Sequence, residues 1–464
     1  MPNNKIFILL PDGIGLRNFA YSKFYELGIT QGYDVVFWNN TPFQLSDLGF
    51  KDIPIQNPKT NKQTEIYKNA RKQIELNLNK KKFQDAVYDT YRFPYAYKNI
   101  KTAAKSILTQ LLAVSHTSEK GLQKVRNKIK EQEKKTTYFQ ECLAVLKREQ
   151  PAMVFCTNQR PLLAIAPLLA AQELGIPTAT FIFSWDNLPK ATMVVETDSY
   201  FVWSEHMKEE LLQYYPYIKA ENIHITGTPQ FESHYETGRL VAKETFFKQN
   251  GLDITRRYIC YSGDDVTTCP DDPQYLDDVA AAVKQMNEEG DAIGILFRRC
   301  PVDFSDRFDS VLTQYKDIIV PVNPKWEKKG GMWNTILPTP EDVDLQMNTI
   351  AHTDMVINLG SSMVFDYAAH GKPCAYINYD VKHKRIEDWS VKKIYNYIHF
   401  RSMPVKESVI WLDNKEEIKT KIQKALAEGN RQITEAKEWF HIINQQPFQK
   451  ASVRIWEAIH KIIN

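Results

Sequence analysis

The chain of 464 residues has no close cysteine pair and no His/Cys cluster at zinc-ligand spacing, its six cysteines standing at 142, 156, 260, 269, 300 and 374. Neither a disulfide framework nor a structural metal is expected, and the thiols read as reduced core residues. Charge of one sign is missing too. Lys and Arg number 59 against 56 Asp and Glu, a formal balance of +3 that excludes a global electrostatic partner such as nucleic acid. Long hydrophobic runs are also lacking: the most apolar stretch, 161–171, is interrupted by Pro167 and falls short of the roughly 20 residues a bilayer-crossing helix needs. Lys5 to Leu10 followed by Pro11-Asp-Gly13 reads as a strand and a turn, not as a secretory leader. A cytoplasmic location is expected, at most at the inner face of a membrane.

The length suits two α/β domains, each with a core of its own. Short β-rich runs alternate with helical stretches in both halves, the pattern of parallel sheets covered by helices on each face. The first half holds runs at Ile6–Leu10, Asp34–Trp38, Met153–Cys156, Thr178–Phe183, Tyr200–Trp203 and Ile223–Thr226. The second holds them at Tyr258–Ser262, Gly294–Phe297, Ile318–Val322, Met355–Asn358, Cys374–Asn378 and Val409–Leu412. The fold class is therefore read as two Rossmann-like, doubly wound domains facing a cleft. Their expected limits are 1–236 and 237–429, with a helical insertion at about 58–150 and terminal helices over 430–464 that pack back on the first domain.

The insertion is basic, with eleven Lys or Arg against five acids from Lys101 to Glu149, a local excess of six. Ile100, Ala104, Ile107, Leu108, Leu111 and Leu112 fall on one helical face, expected to turn towards the core. The charge makes contact with an anionic acceptor or an anionic membrane a second expectation.

Ligands of open α/β sheets bind beyond the carboxyl ends of the strands, so the loops there carry the candidates. Gly360, Ser361 and Ser362 follow one strand and open a helix; small residues and unpaired N–H groups suit a diphosphate, while two plain N-caps are the alternative. Asp366, a turn further on, can reach ribose hydroxyls or simply face the helix dipole. Gly263 and Asp264 form the loop after another strand. Arg298 ends a third, where its guanidinium can offset a leaving pyrophosphate or form an ion pair. In the first half Asp12 follows the opening strand, with Gly13 and Gly15 leaving room for an acceptor. The third glycine of a dinucleotide fingerprint is replaced by Asn18, so no nicotinamide or flavin is expected. Trp185, Asp186 and Asn187 end another strand and offer a stacking surface, an acid or base and a hydrogen-bonding group; a turn anchored by Asn187 is the alternative.

The string Gly360-Ser-Ser-Met-Val-Phe-Asp-Tyr-Ala-Ala-His-Gly-Lys-Pro373 resembles the donor motif of GT-B glycosyltransferases and of the related CDP-glycerol glycerophosphotransferases. Ser184-Trp-Asp-Asn-Leu188, Tyr200-Phe-Val-Trp-Ser204 and Ile223-His-Ile-Thr-Gly-Thr-Pro-Gln-Phe231 resemble a bacterial branch of GT-B proteins of surface polysaccharide synthesis. The resemblance implies an enzyme that moves a sugar from a nucleotide-sugar to a glycan or lipid-linked acceptor. Donor binding then falls to Gly263, Asp264, Arg298, Gly360, Ser361, Ser362 and Asp366. Acceptor binding falls to Gly13, Gly15, Trp185 and Asn187, and the general base is Asp12 or, next, Asp186. Inversion at the anomeric carbon is expected, because Asp354 and Asp366 do not make the glutamate pair of retaining relatives. No metal and no cofactor beyond the co-substrate is expected. A CDP-polyol phosphotransferase, a sugar-nucleotide epimerase and a non-catalytic scaffold are the alternatives.

Overall fold

A computed structural model describes residues 3–329, 336–428 and 430–464. The chain divides into two units, residues 1–229 with 450–464, and residues 230–449. In the first, seven strands are β1 (Lys5–Leu10), β2 (Asp34–Asn39), β3 (Asp52–Pro54), β4 (Met153–Cys156), β5 (Thr178–Phe181), β6 (Ser199–Val202) and β7 (Ile223–Ile225). They lie in the order β3-β2-β1-β4-β5-β6-β7 and all pair in parallel. Ile6 to Leu10 are buried without interruption, as a central strand requires when helices cover both faces of its sheet.

The second unit repeats the plan. Strands β8 (Arg257–Ser262), β9 (Ile293–Arg298), β10 (Ile319–Pro321), β13 (Val356–Asn358), β14 (Cys374–Ile377) and β15 (Ile410–Leu412) form a parallel sheet ordered β10-β9-β8-β13-β14-β15. Between β10 and β13 the chain adds an antiparallel pair, β11 (Trp326–Lys328) and β12 (Ile336–Pro338). Both units are thus doubly wound Rossmann-like domains, the α/β class expected of the sequence.

The chain passes from the first unit to the second at 229/230 rather than near 236, and the expected limit at Gly429 lies outside the described residues. The terminal helices separate. The helix Asn430–Ile443 stays in the second unit, where Trp439 meets Phe365 edge-on at 4.9 Å. Only Ala451–Ile463 returns to the first. There Trp456 stacks on Phe24 at 4.7 Å and on Tyr33 at 4.9 Å and donates from Nε1 to the Phe24 carbonyl at 2.8 Å. Gly28 makes this contact possible, since a Cβ there would stand 2.3 Å from the Trp456 ring.

Four helices, Thr64–Phe83, Ile100–Ser115, Glu119–Glu133 and Thr137–Glu149, fill the chain between β3 and β4. The last buries Tyr138, Phe139, Cys142 and Leu146 in the main core. The others share a small core of Ala70, Ile74, Ala113, Leu122 and Val125. Inside it the Glu75 Oε2 lies 2.8 Å from Arg71 Nη1 and 3.3 Å from Arg126 Nη2. Part of the basic excess is therefore offset locally: Lys128 pairs with Glu131, Lys130 with Glu196 and Lys134 with Glu173.

Helix Ile100–Ser115 reverses the expected orientation. It buries Ser106, Thr109 and Ala113, while Ile100, Ala104, Ile107, Leu108 and Leu111 are exposed and Leu112 is half-buried. Small inward residues allow close packing, and their hydroxyls cost little because Ser106 Oγ donates to the Ala96 carbonyl and Thr109 Oγ1 to the Lys105 carbonyl, both at 2.8 Å. Among the described residues no helix is long and apolar enough to cross a membrane.

Candidate functional site

The first unit winds from β1 outward through β2 and β3, then returns to β4 on the other side of β1. The strand order therefore reverses between β1 and β4, and the crevice outside the carboxyl ends of strands at such a reversal is where open α/β sheets take ligands. Asp12 stands there. Its Oδ1 accepts the Ile14 N–H at 3.2 Å and its Oδ2 accepts from Asn158 Nδ2, in the loop after β4, at 3.0 Å. Burial raises the Asp12 pKa above the usual carboxylate value; Arg160, the Ile14 N–H and Asn158 act against the rise. A carboxylate held this way is a stronger base than a solvated one, which suits proton abstraction.

The neighbouring glycines lie inside the fold. Gly13 and Gly15 are buried, and a Cβ on Gly15 would meet Thr157 Oγ1 at 2.5 Å. The small size of Gly15 lets the loop after β1 approach Thr157 in the loop after β4. Trp185 and Asn187 are likewise buried. Asn187 Oδ1 accepts from Gln159 Nε2 at 3.0 Å and its Nδ2 donates to Asp186 Oδ1 at 2.9 Å, so Asn187 anchors the turn. Asp186 is paired with Lys190, which keeps its charge engaged inside the unit.

In the second unit the winding reverses between β8 and β13, so the corresponding crevice lies between the loops after those strands. Gly263 and Asp264 come from one loop, Gly360, Ser361 and Ser362 from the other. The strands that carry these loops, β8 and β13, are paired neighbours, Val356 beside Cys260 and Ile357 beside Tyr261. Burial, then Asp272 and Asp265, push the Asp264 pKa well above the usual range, against Arg307 and the Leu359 N–H. Asp272 is shifted upwards as well, chiefly by burial. It accepts from Tyr261 Oη at 2.6 Å and from the Asp264 N–H at 2.7 Å.

Gly263 is packed from within, its would-be Cβ 3.2 Å from both Asp272 Oδ2 and Phe297. Gly360 has φ +66, the left-handed region that glycine tolerates, and a Cβ there would stand 2.9 Å from Phe400 Cζ. Ser361 and Ser362 are half-buried, and the Ser362 side chain does not cap the helix Met363–Ala369. Ser361 Oγ accepts the Met363 N–H only at a long 3.4 Å. The plain capping alternative is thus poorly met.

Two expected ligand groups are engaged within the unit. Arg298 is 6 % exposed, and its Nη2 donates to both carboxylate oxygens of Asp342 at 2.9 Å. Its charge is offset by Asp342, and its buried Nη1 has no partner among the described residues. Asp366, 2 % exposed, accepts from His234 Nε2 at 2.7 Å instead of facing a ribose. His234 Nδ1 in turn lies 3.1 Å from His370 Nε2. With Nε2–H given to Asp366, a neutral His234 offers Nδ1 as acceptor, and His370 supplies the proton.

Asp342, His234 and Arg307 were invisible as site elements in the sequence, because no motif links them to their partners. His370 lay inside the donor-like string but carried no assigned part. Burial first, then His234 and Lys372, lower the His370 pKa to about 4. A depressed value contributes stability above the unfolded pKa near 6.5 that is lost as the pH falls towards 4. Wild type is expected to lose melting temperature across that window, and His370→Gln to flatten the loss. Thermal unfolding at half-unit pH steps measures it.

Among the described residues no group of three or more His, Cys, Asp or Glu is placed to hold a metal ion. No protein-family model and no curated protein matches the sequence. Solved structures do match it. MnaA of S. aureus, in a co-structure with UDP, aligns with TM-score 0.54 and 12% identity over 99% of this chain and 97% of that one. The UDP-GlcNAc 2-epimerase of Methanocaldococcus jannaschii aligns with TM-score 0.52 and 13% identity over 98% and 99%. A glycosyltransferase of Rickettsia africae aligns with TM-score 0.52 and 9% identity over 99% and 98%. At these identities the likeness is one of fold, and it extends over almost the whole chain.

Proposed function

We propose that the chain is a nucleotide-sugar-dependent glycosyltransferase whose second unit holds the donor diphosphate in the β8/β13 crevice. The observation that carries this reading is that the loops bearing Asp264 and Leu359–Ser362 follow the adjacent parallel strands β8 and β13 at that unit's reversal of winding. There Gly360 turns the chain at φ +66, and the Ser362 hydroxyl is not spent on a cap. A protonated Asp264 would offer a phosphate a hydrogen-bond donor rather than a second negative charge. Asp12, in the equivalent crevice of the first unit, is the base that takes the proton of a glycan or lipid-linked acceptor hydroxyl as it attacks the sugar carbon, with inversion. Asp186, the second choice, would first have to leave Lys190. The nucleotide is best taken as UDP, since the S. aureus protein of the same fold was solved with UDP; a CDP-linked polyol donor is the variant of this reading.

Ser362→Glu, at a half-buried position, is expected to weaken UDP binding about tenfold or more by setting a carboxylate against the diphosphate. The unliganded protein should keep its melting temperature. Calorimetric titration of both proteins with UDP checks this, and equal affinities would move the diphosphate elsewhere. The fold shared with UDP-GlcNAc 2-epimerases favours a second reading, isomerisation of the donor without an acceptor. Proton NMR of UDP-GlcNAc incubated with the protein separates them. A new sugar signal with UDP still attached is epimerisation, whereas UDP release that depends on added acceptor is transfer.

A further inference from the structure

Ile100, Ile107, Leu108, Leu111 and Val114 all point outward on the helix Ile100–Ser115, with Ile100 91%, Leu111 62% and Val114 75% exposed. Their spacing keeps them on one stripe, about 21 Å long at 1.5 Å per residue. The segment leading into the helix adds exposed Phe93, Tyr95 and Tyr97. An apolar surface of this extent is unusual on a protein that nothing covers. We propose that this face docks on an anionic phospholipid bilayer, with the helix lying in the plane of the interface.

Charge and composition choose this occupant. From Phe93 to His116 the chain has three lysines, Lys98, Lys101 and Lys105, and no acid. Lys124 lies beside Leu112 and His116 at the other end of the helix. Aliphatic side chains edged by Tyr, Phe and Lys match the boundary between acyl chains and anionic headgroups. Lys105 is paired with Glu65, and a second copy fits poorly, because a two-fold contact would still bring Lys98 and Lys101 of one stripe towards those of the other. The apolar stripe distinguishes this docking from attraction by lysines alone, since insertion survives salt that screens surface charge. It does not depend on the identity of the reaction.

The test is co-sedimentation of the full chain with vesicles of phosphatidylcholine alone and of phosphatidylcholine with one quarter phosphatidylglycerol. Wild type is expected to bind the anionic vesicles about tenfold more tightly than the neutral ones at 0.1 M salt. Ile107→Ser with Leu111→Ser, both at exposed positions, should weaken that binding about tenfold or more, leaving circular dichroism and UDP affinity as in wild type. Ile107→Leu with Leu111→Ile should bind as wild type does. The proposal is overturned if wild type ignores anionic vesicles, or if the serine variant binds them equally well. It is also overturned if sedimentation velocity reveals a dimer that the serine variant abolishes, which would make the face a self-association surface.

Discussion

Asp12→Asn is expected to lower acceptor-dependent turnover about 10²–10⁴-fold, the range a positioned general base supplies, while leaving UDP affinity unchanged. The isosteric amide keeps the acceptor atom for the Ile14 N–H but cannot take a proton. The pH profile separates chemistry from packing. In wild type the rate should fall on the acid side as the raised Asp12 pKa is crossed, and the variant's residual rate should lack that limb. Stability should move the other way. Because burial raises this pKa, the stability held by the carboxyl is complete below its unfolded value and is lost as the pH rises through the folded one. At neutral pH the Asn variant sheds the cost of the buried charge but sets its Nδ2 against Asn158 Nδ2, so its melting temperature should fall by no more than one lost hydrogen bond accounts for, about 1 kcal/mol. A variant that lost rate together with melting temperature beyond that would mark Asp12 as structural.

Asp342→Ala is expected to destabilise the second unit by about 3–5 kcal/mol, the cost of stripping a buried ion pair of one partner. Its carboxylate accepts from Arg298 Nη2, from the Lys325 N–H at 2.8 Å and from Trp326 Nε1 at 2.7 Å. Removing it strands the guanidinium, whose Nη1 already lacks a partner among the described residues. Exposed Lys325 and half-buried Trp326 can turn to water, so most of the loss belongs to Arg298. Arg298→Met with Asp342→Leu should therefore recover much of it. Urea unfolding of the three proteins measures the difference, and an Asp342→Ala loss below about 1 kcal/mol, the value of a surface pair, would contradict the assignment.

The two Rossmann-like domains were legible because central parallel strands write themselves as short apolar runs, as Ile6–Leu10 and Met153–Cys156 do. Strand β3, only Asp52-Ile-Pro54 at a sheet edge, carries no such signal. The strand-end rule also located Asp12 and the Gly360–Ser362 loop, since chain order alone fixes which loops follow which strands. What sequence spacing withheld was the partner of each group. Arg298 and Asp342 are 44 residues apart, and His234 and Asp366 are separated by 132; no local pattern reports such pairs. The helix Ile100–Ser115 fails for another reason. Periodicity defines an apolar stripe but not what lies against it, and here the small residues turned inward. Gly15 and Gly263 read equally well as space for a ligand or space for a neighbour, and the folded chain sets Thr157 against the first and Asp272 and Phe297 against the second.

The claim on which the reading depends is that a nucleoside diphosphate occupies the β8/β13 crevice, and a crystal structure of the full chain grown with UDP addresses it without intermediaries. The account predicts diphosphate density within about 3.5 Å of backbone N–H groups in the Gly360–Ser362 loop, with Asp264 alongside. Density at another position, or no binding by calorimetry at millimolar UDP, would contradict it.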